Sequence, residues 1–178
     1  MSRLFVAVWL PPALTRRLRA VNRPPRDSLR WTTEDQWHVT LRFLGEVPTS
    51  GPVGEALGSV ASRFEGVTAT LGPRPVVLGG RVWVLPVSGL DGLASAVLEA
   101  TSAAVPDTGR RPFRGHVTLA RAKRPGALTG LPDVDVGGEW TVDAVTLVCS
   151  HLHRDGARYE IVDRWTLGKA GRAGGKDG

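Results

Sequence analysis

The hydrophobic positions of this chain fall into short period-two runs, interrupted by three longer stretches with helical spacing. Residues 2–10 alternate and are rich in β-formers, which predicts a first strand. Pro11-Pro12 then opens a helix over 13–21, because proline is tolerated in a first turn. A short extended piece at 30–32 precedes a strand over 37–45. Val53, Leu57, Val60 and Phe64 share one face of a helix predicted over 49–64. Brief β-type runs at 67–71, 76–78 and 81–87, punctuated by Gly and Pro, lead to a third helix over 90–105. Strands follow at 115–121, 141–150 and 158–167, the last two joined by a polar turn at Arg154-Asp155-Gly156. Residues 169–178 are Gly-rich with mixed charge and read as a disordered tail.

Two of these strands carry the same tetrapeptide, His38-Val39-Thr40-Leu41 and His116-Val117-Thr118-Leu119. Only four histidines occur in the chain, and 78 positions separate His38 from His116 and Thr40 from Thr118 alike. In each copy Val and Leu would face a core while His and Thr point together to the other side. The repeat implies a duplicated α+β unit: two antiparallel sheets related by an approximate two-fold, helices outside, a groove between. No stretch of linker composition separates the halves, so residues 1–168 are expected to form a single bilobed domain.

Composition sharpens the picture only in part. The formal charge is +6 and the sequence pI about 10.6, which favours anionic partners, nucleic acid above all. Arg110, Arg111, Arg114, Arg121, Lys123 and Arg124 surround the second motif, with no acid between Asp107 and Asp133. No apolar run approaches the roughly 20 residues that span a bilayer, and the first residues lack a signal-peptide layout, so no membrane association is expected. The single cysteine, Cys149, precludes an intrachain disulfide and fits a reducing cytoplasm, where it reads as a small buried strand residue. With no exposed apolar stripe apparent, a monomer is expected.

The paired motifs suit chemistry at one phosphate. Opening a five-membered cyclic phosphodiester needs a base for the attacking water and an acid for the departing ribose oxygen, on opposite sides of phosphorus. Histidine serves both near neutral pH, and two facing strands supply the opposition. The Thr hydroxyls, two residues along, can donate to the non-bridging oxygens. The scheme needs no metal and no cofactor. A metal site from His38, His116, His151 and His153 is a rival reading, but nothing places a carboxylate with them. Nucleophilic catalysis lacks a Gly-x-Ser-x-Gly elbow. A further rival is a non-catalytic basic RNA-binding module whose histidines merely line a groove.

Other candidates are softer. Arg42 shares the His38–Thr40 face by alternation and is a candidate substrate contact, an exposed ion-pairing role being the alternative. Arg121 falls on the Val117–Leu119 side and reads as structural unless a bulge intervenes. Trp37, Phe43 and Tyr159 are candidates to stack on bases, although Phe43 alternates with core positions Val39 and Leu41.

At these residues the chain resembles the two-histidine phosphoesterase superfamily, and within it the RNA 2′,3′-cyclic phosphodiesterases, also called 2′-5′ RNA ligases. The likeness extends to Arg3-Leu4-Phe5-Val6-Ala7-Val8 with Leu10-Pro11, Arg30-Trp31, Phe43-Leu44-Gly45-Glu46-Val47, Arg111-Pro112-Phe113, and the late Ser150-x-Leu152, Gly156 and Tyr159. The resemblance implies the bilobed α+β fold and hydrolysis of an RNA 2′,3′-cyclic phosphate end to a 2′-phosphomonoester. His38 would be the proton donor, His116 the proton acceptor, and Thr40 and Thr118 the phosphate ligands, with Tyr159 a possible substrate contact. Joining RNA ends through a 2′-5′ linkage would be the same step with a 5′-hydroxyl replacing water. One departure is Gly115, where relatives often carry proline, and it is expected to loosen that strand's entry.

Overall fold

The computed structural model describes residues 2–106, 112–153 and 156–168. Arg110, Arg111, Arg154, Asp155 and the tail from 169 lie outside the described residues. The elements run in the order β1 (Ser2–Trp9), α1 (Pro12–Arg19), β2 (Leu29–Trp31), a 3-10 turn (Glu34–Gln36), β3 (His38–Val47), α2 (Gly51–Arg63), β4 (Val67–Leu71), β5 (Val76–Leu78) and β6 (Val82–Ser88). They continue with α3 (Asp91–Thr101), β7 (His116–Ala122), β8 (Gly138–Val142), β9 (Ala144–His153) and β10 (Gly156–Thr166).

The fold is α+β, and the two antiparallel halves are joined edge to edge rather than standing apart. The strand order is β10-β9-β1-β3-β7-β6-β4-β8, with β2 added to β7 and β5 to β6. The junction is the antiparallel pair β3–β7, where Val39 faces Val117. Each half therefore holds one motif strand at the junction. The first half reads outward as β3, β1, β9, β10, and the second as β7, β6, β4, β8. The series β1-α1-β3 and β6-α3-β7 repeat each other, and the chain later places β4 in the second half and β9 in the first. That exchange interlocks the two units.

Local chemistry explains the elements. Leu4 to Val8 is buried throughout, as a central strand flanked by β3 and β9 requires. The helices bury single stripes: Leu14 and Leu18 on α1, Val53, Leu57, Val60 and Ala61 on α2, Leu93, Ala94, Val97 and Thr101 on α3. The strand expected over 141–150 splits at Asp143 into β8, which pairs with β4, and β9, which pairs with β1 and β10. Apolar periodicity is the same on both sides of that break, so only the pairing partners reveal it.

Strict alternation fails at two equivalent places. Between β1 and β3 the register slips, so that Thr40 faces Ala7 but Arg42 faces Val6, leaving Leu41 as an extra residue. Between β6 and β7 it slips again: Thr118 faces Val84, Ala120 faces Trp83, and Leu119 is extra. These are β-bulges 78 residues apart, and each puts two successive residues on the core side. Beyond each bulge the faces exchange.

Arg42 is therefore corrected: it does not share the His38–Thr40 face. It is 8% exposed, and its guanidinium donates to the Leu98 carbonyl (3.0 Å), to Thr101 Oγ1 and to the Val105 carbonyl. It ties β3 to the end of α3. Replacing it with Met leaves those acceptors without their donor, and a loss of about 3 kcal/mol is expected in urea unfolding.

Gly115 does not loosen its strand. Its carbonyl accepts from the Val87 amide (2.8 Å), and a Cβ there would lie 2.4 Å from the Val87 oxygen. Its lack of a side chain lets β6 and the entry to β7 approach closely.

Candidate active site

The Val39–Val117 pair sits at the local two-fold. Both valines are fully buried on the core face, so their neighbours project from the other face. Continuing that antiparallel register sets His38 opposite Thr118 and Thr40 opposite His116. Opposed residues of such a pair stand about 4.5–5.5 Å apart at Cα, so two imidazoles and two hydroxyls share one small patch. All four line a cleft of about 450 Å³ between the halves. The sequence expectation that these four meet is met.

The two histidines have different surroundings. His38 lies among Phe5, Trp9 and Tyr159, with ring centroids at 4.9, 5.3 and 5.1 Å. Burial there lowers its pKa from 6.5 to about 4, with the electrostatic influence of Arg121 and His116 pushing the same way. The Gln36 carbonyl opposes this and favours the protonated ring, yet Nδ1 of His38 is buried without a hydrogen bond of ordinary distance and angle. His116 is held instead: its Nδ1 donates to the Arg114 carbonyl at 2.6 Å. A carbonyl can only accept, so the neutral His116 ring carries its proton on Nδ1 and its lone pair on Nε2.

The His38 environment has a consequence for stability. Its folded pKa of about 4 lies below the ordinary 6.5, so the unfolded chain takes up the proton first as pH falls. Its contribution is present above pH 6.5 and is lost on acidification toward pH 4. The full loss is about 3 kcal/mol. Comparing urea midpoints of wild type and His38→Gln across this window should show a shallower acid decline in the variant.

The bulges bring two residues to this face that alternation had sent elsewhere. Phe43 is 73% exposed, stands 6.1 Å from Phe5, and lines the cleft instead of the core. Arg121, at the equivalent position of β7, lines the cleft from the other half. Leu119-Ala120, two apolar residues in succession, is the trace of a bulge that the sequence does carry; Leu41-Arg42 hides its counterpart behind a charged residue. Thr32, in no sequence motif, secures the β7 bulge: its hydroxyl lies 2.6 Å from the Thr118 carbonyl and 3.0 Å from that of Leu119.

Tyr159 lines the cleft as expected, its ring at 90° to that of His38. Trp37 does not, being buried with its Nε1 donating to Thr32 Oγ1 (3.1 Å). His151 pairs with Glu160 Oε2 at 3.0 Å, and neither it nor His153 lines the cleft, so the four histidines do not converge. Among the described residues no group of three or more His, Cys, Asp or Glu side chains is set to hold a metal ion. Nor is any described helix long and apolar enough to cross a membrane.

Known proteins share this architecture. Residues 8–76 match the family model described as LigT like Phosphoesterase. An RNA 2′,3′-cyclic phosphodiesterase of Thermus thermophilus is 32% identical, over 96% of this chain and 93% of its own length. One from Escherichia coli is 33% identical, over 93% of this chain and 97% of its own. The crystal structure of E. coli LigT complexed with 3′-AMP superposes with a TM-score of 0.74 at 32% identity, covering 94% of this chain and 99% of that one. The chain belongs to the LigT-like phosphoesterase family.

Proposed function

We propose that this protein is an RNA 2′,3′-cyclic phosphodiesterase, a hydrolase that opens the terminal cyclic phosphate to a 2′-phosphomonoester. The observation that carries the reading is the pair of cross-strand His–Thr couples about Val39 and Val117, lining one cleft. The names of the relatives and the 3′-AMP complex of E. coli LigT support the substrate class.

In this reading the phosphate lies between the motif strands. Nε2 of His116 takes a proton from water as the water oxygen bonds to phosphorus. The P–O3′ bond breaks on the far side, and His38 protonates the departing O3′. Thr40 and Thr118 donate hydroxyl hydrogens to the non-bridging oxygens, and Arg121 offsets their charge. Burial favours the neutral form of His38, so the donor role depends on the bound anion, whose charge raises the proton affinity of the ring. No step in this scheme calls for a metal. The same displacement with an RNA 5′-hydroxyl in place of water, forming P–O5′ as P–O3′ breaks, would give a 2′-5′ bond.

We further take residues 1–168 as one bilobed, monomeric domain acting in the cytoplasm, consistent with the strand exchange between halves and the buried free Cys149. The test is product analysis on an oligonucleotide ending in a 2′,3′-cyclic phosphate, with and without chelator. A 2′-phosphomonoester in both conditions is expected. Salt-dependent RNA binding without product would instead mark a non-catalytic module.

A further inference from the structure

The antiparallel pairing of β2 with β7 sets Arg30 directly opposite Arg121. Directly opposed residues of two antiparallel strands project from the same face, and like charges there are unfavourable. Both arginines line the cleft. Among the described residues neither has an ion pair or side-chain hydrogen bond to an acid or a carbonyl, unlike Arg17, Arg19 and Arg26, which all have such partners. Two facing cations in a cleft, with no acidic partner among the described residues, form a place for anions.

Arg30 is also held in position. The backbone of Gly156, at the start of β10 in the other half, lies against its guanidinium, where a Cβ would come within 2.5 Å of Nη1. Gln36 Nε2 donates to the Ala157 carbonyl at 2.7 Å and ties the same strand to the 3-10 turn before β3. The described residues of the hairpin thus press on Arg30 from across the cleft and supply it no acidic partner.

We propose that Arg30 anchors a second phosphate subsite, which takes the phosphodiester on the 5′ side of the terminal nucleotide. This rests on the phosphodiesterase reading: one anion beside the histidines engages Arg121, and Arg30, a strand further out, is left for another. The cyclic phosphate carries a single negative charge, and an RNA chain supplies the next one at the 5′ oxygen of the same ribose. A cyclic mononucleotide has none there. The wall opposite, with Phe43 and the 70% exposed Leu152, is mostly apolar, and its one cation among the described residues, Arg3, comes from β1 and not from the strands that carry Arg30 and Arg121. The cleft therefore distinguishes RNA ends from small cyclic nucleotides by counting phosphates.

The experiment compares a nucleoside 2′,3′-cyclic phosphate with a dinucleotide ending in the same group. In wild type the dinucleotide should have the higher kcat/KM. In Arg30→Gln its kcat/KM should fall on the order of tenfold more than that of the mononucleotide, the difference residing in KM. Gly156→Ala, which keeps the arginine but displaces it, should shift the ratio the same way. Arg124→Gln, exposed on the same half and outside the cleft, should leave the ratio at its wild-type value. Equal losses on both substrates in Arg30→Gln, or no loss on either, would overturn the subsite. If wild type hydrolyses neither ligand, the phosphodiesterase reading fails by itself. The ratio of the two dissociation constants, in wild type and Arg30→Gln, then decides the subsite separately.

Discussion

His116→Ala and His38→Ala are each expected to lower kcat on a 2′,3′-cyclic phosphate by about 10³-fold, within the 10²–10⁴ range of a positioned acid or base. The fold should survive both changes. Neither ring belongs to the main core, and the valine pair that joins the halves is untouched. The two variants also part ways. A nucleoside 2′-(aryl phosphate) releases a phenolate that leaves without a proton in place of O3′. His38→Ala should recover much of its rate on that substrate, whereas His116→Ala should not, because water still has to be deprotonated. Full turnover of the cyclic phosphate by either variant, with circular dichroism showing it folded, removes the proposed chemistry. Rescue of His116→Ala in place of His38→Ala would exchange the roles. The tautomer supports the assignment as given: the Arg114 carbonyl holds the proton on Nδ1 of His116, so Nε2 is the basic nitrogen.

Thr40→Ala and Thr118→Ala should each cost about 10² in kcat with little change in KM, as for loss of one donor to the developing charge. The expected distribution between kcat and KM follows from the role. A hydroxyl that merely held the ground-state phosphate would raise KM and leave kcat alone. The double variant should lose less than the product of the single losses, because both hydroxyls serve the same non-bridging oxygens. Stability should barely move, since both residues are only partly buried and the adjoining backbone keeps its ladder. A large drop in the urea midpoint would show that the threonines act on the strand and not on the phosphate.

Much of this was legible along the chain because repetition is a local property. Two copies of His-Val-Thr-Leu at one offset reported a duplicated strand and a shared face lining one cleft without any coordinates. The helices were legible for a similar reason: their apolar stripes recur at the spacing of one face, as Val53, Leu57 and Val60 show. Alternation then misled at Arg42, Phe43 and Arg121. Each lies just past an inserted residue, and an insertion against a partner strand leaves little trace in the strand's own period.

The sequence alone determined the chemical groups, their pairing and the α+β class, because these follow from composition and from periods of two and 3.6 residues. Tertiary structure alone decided which arginines enter the cleft, how far His38 is driven toward neutrality, and that Arg30 confronts Arg121. The reason is physical. Register, burial and charge pairing are properties of contacts between segments distant in sequence, and a one-residue slip in such a contact turns every later side chain to the opposite face.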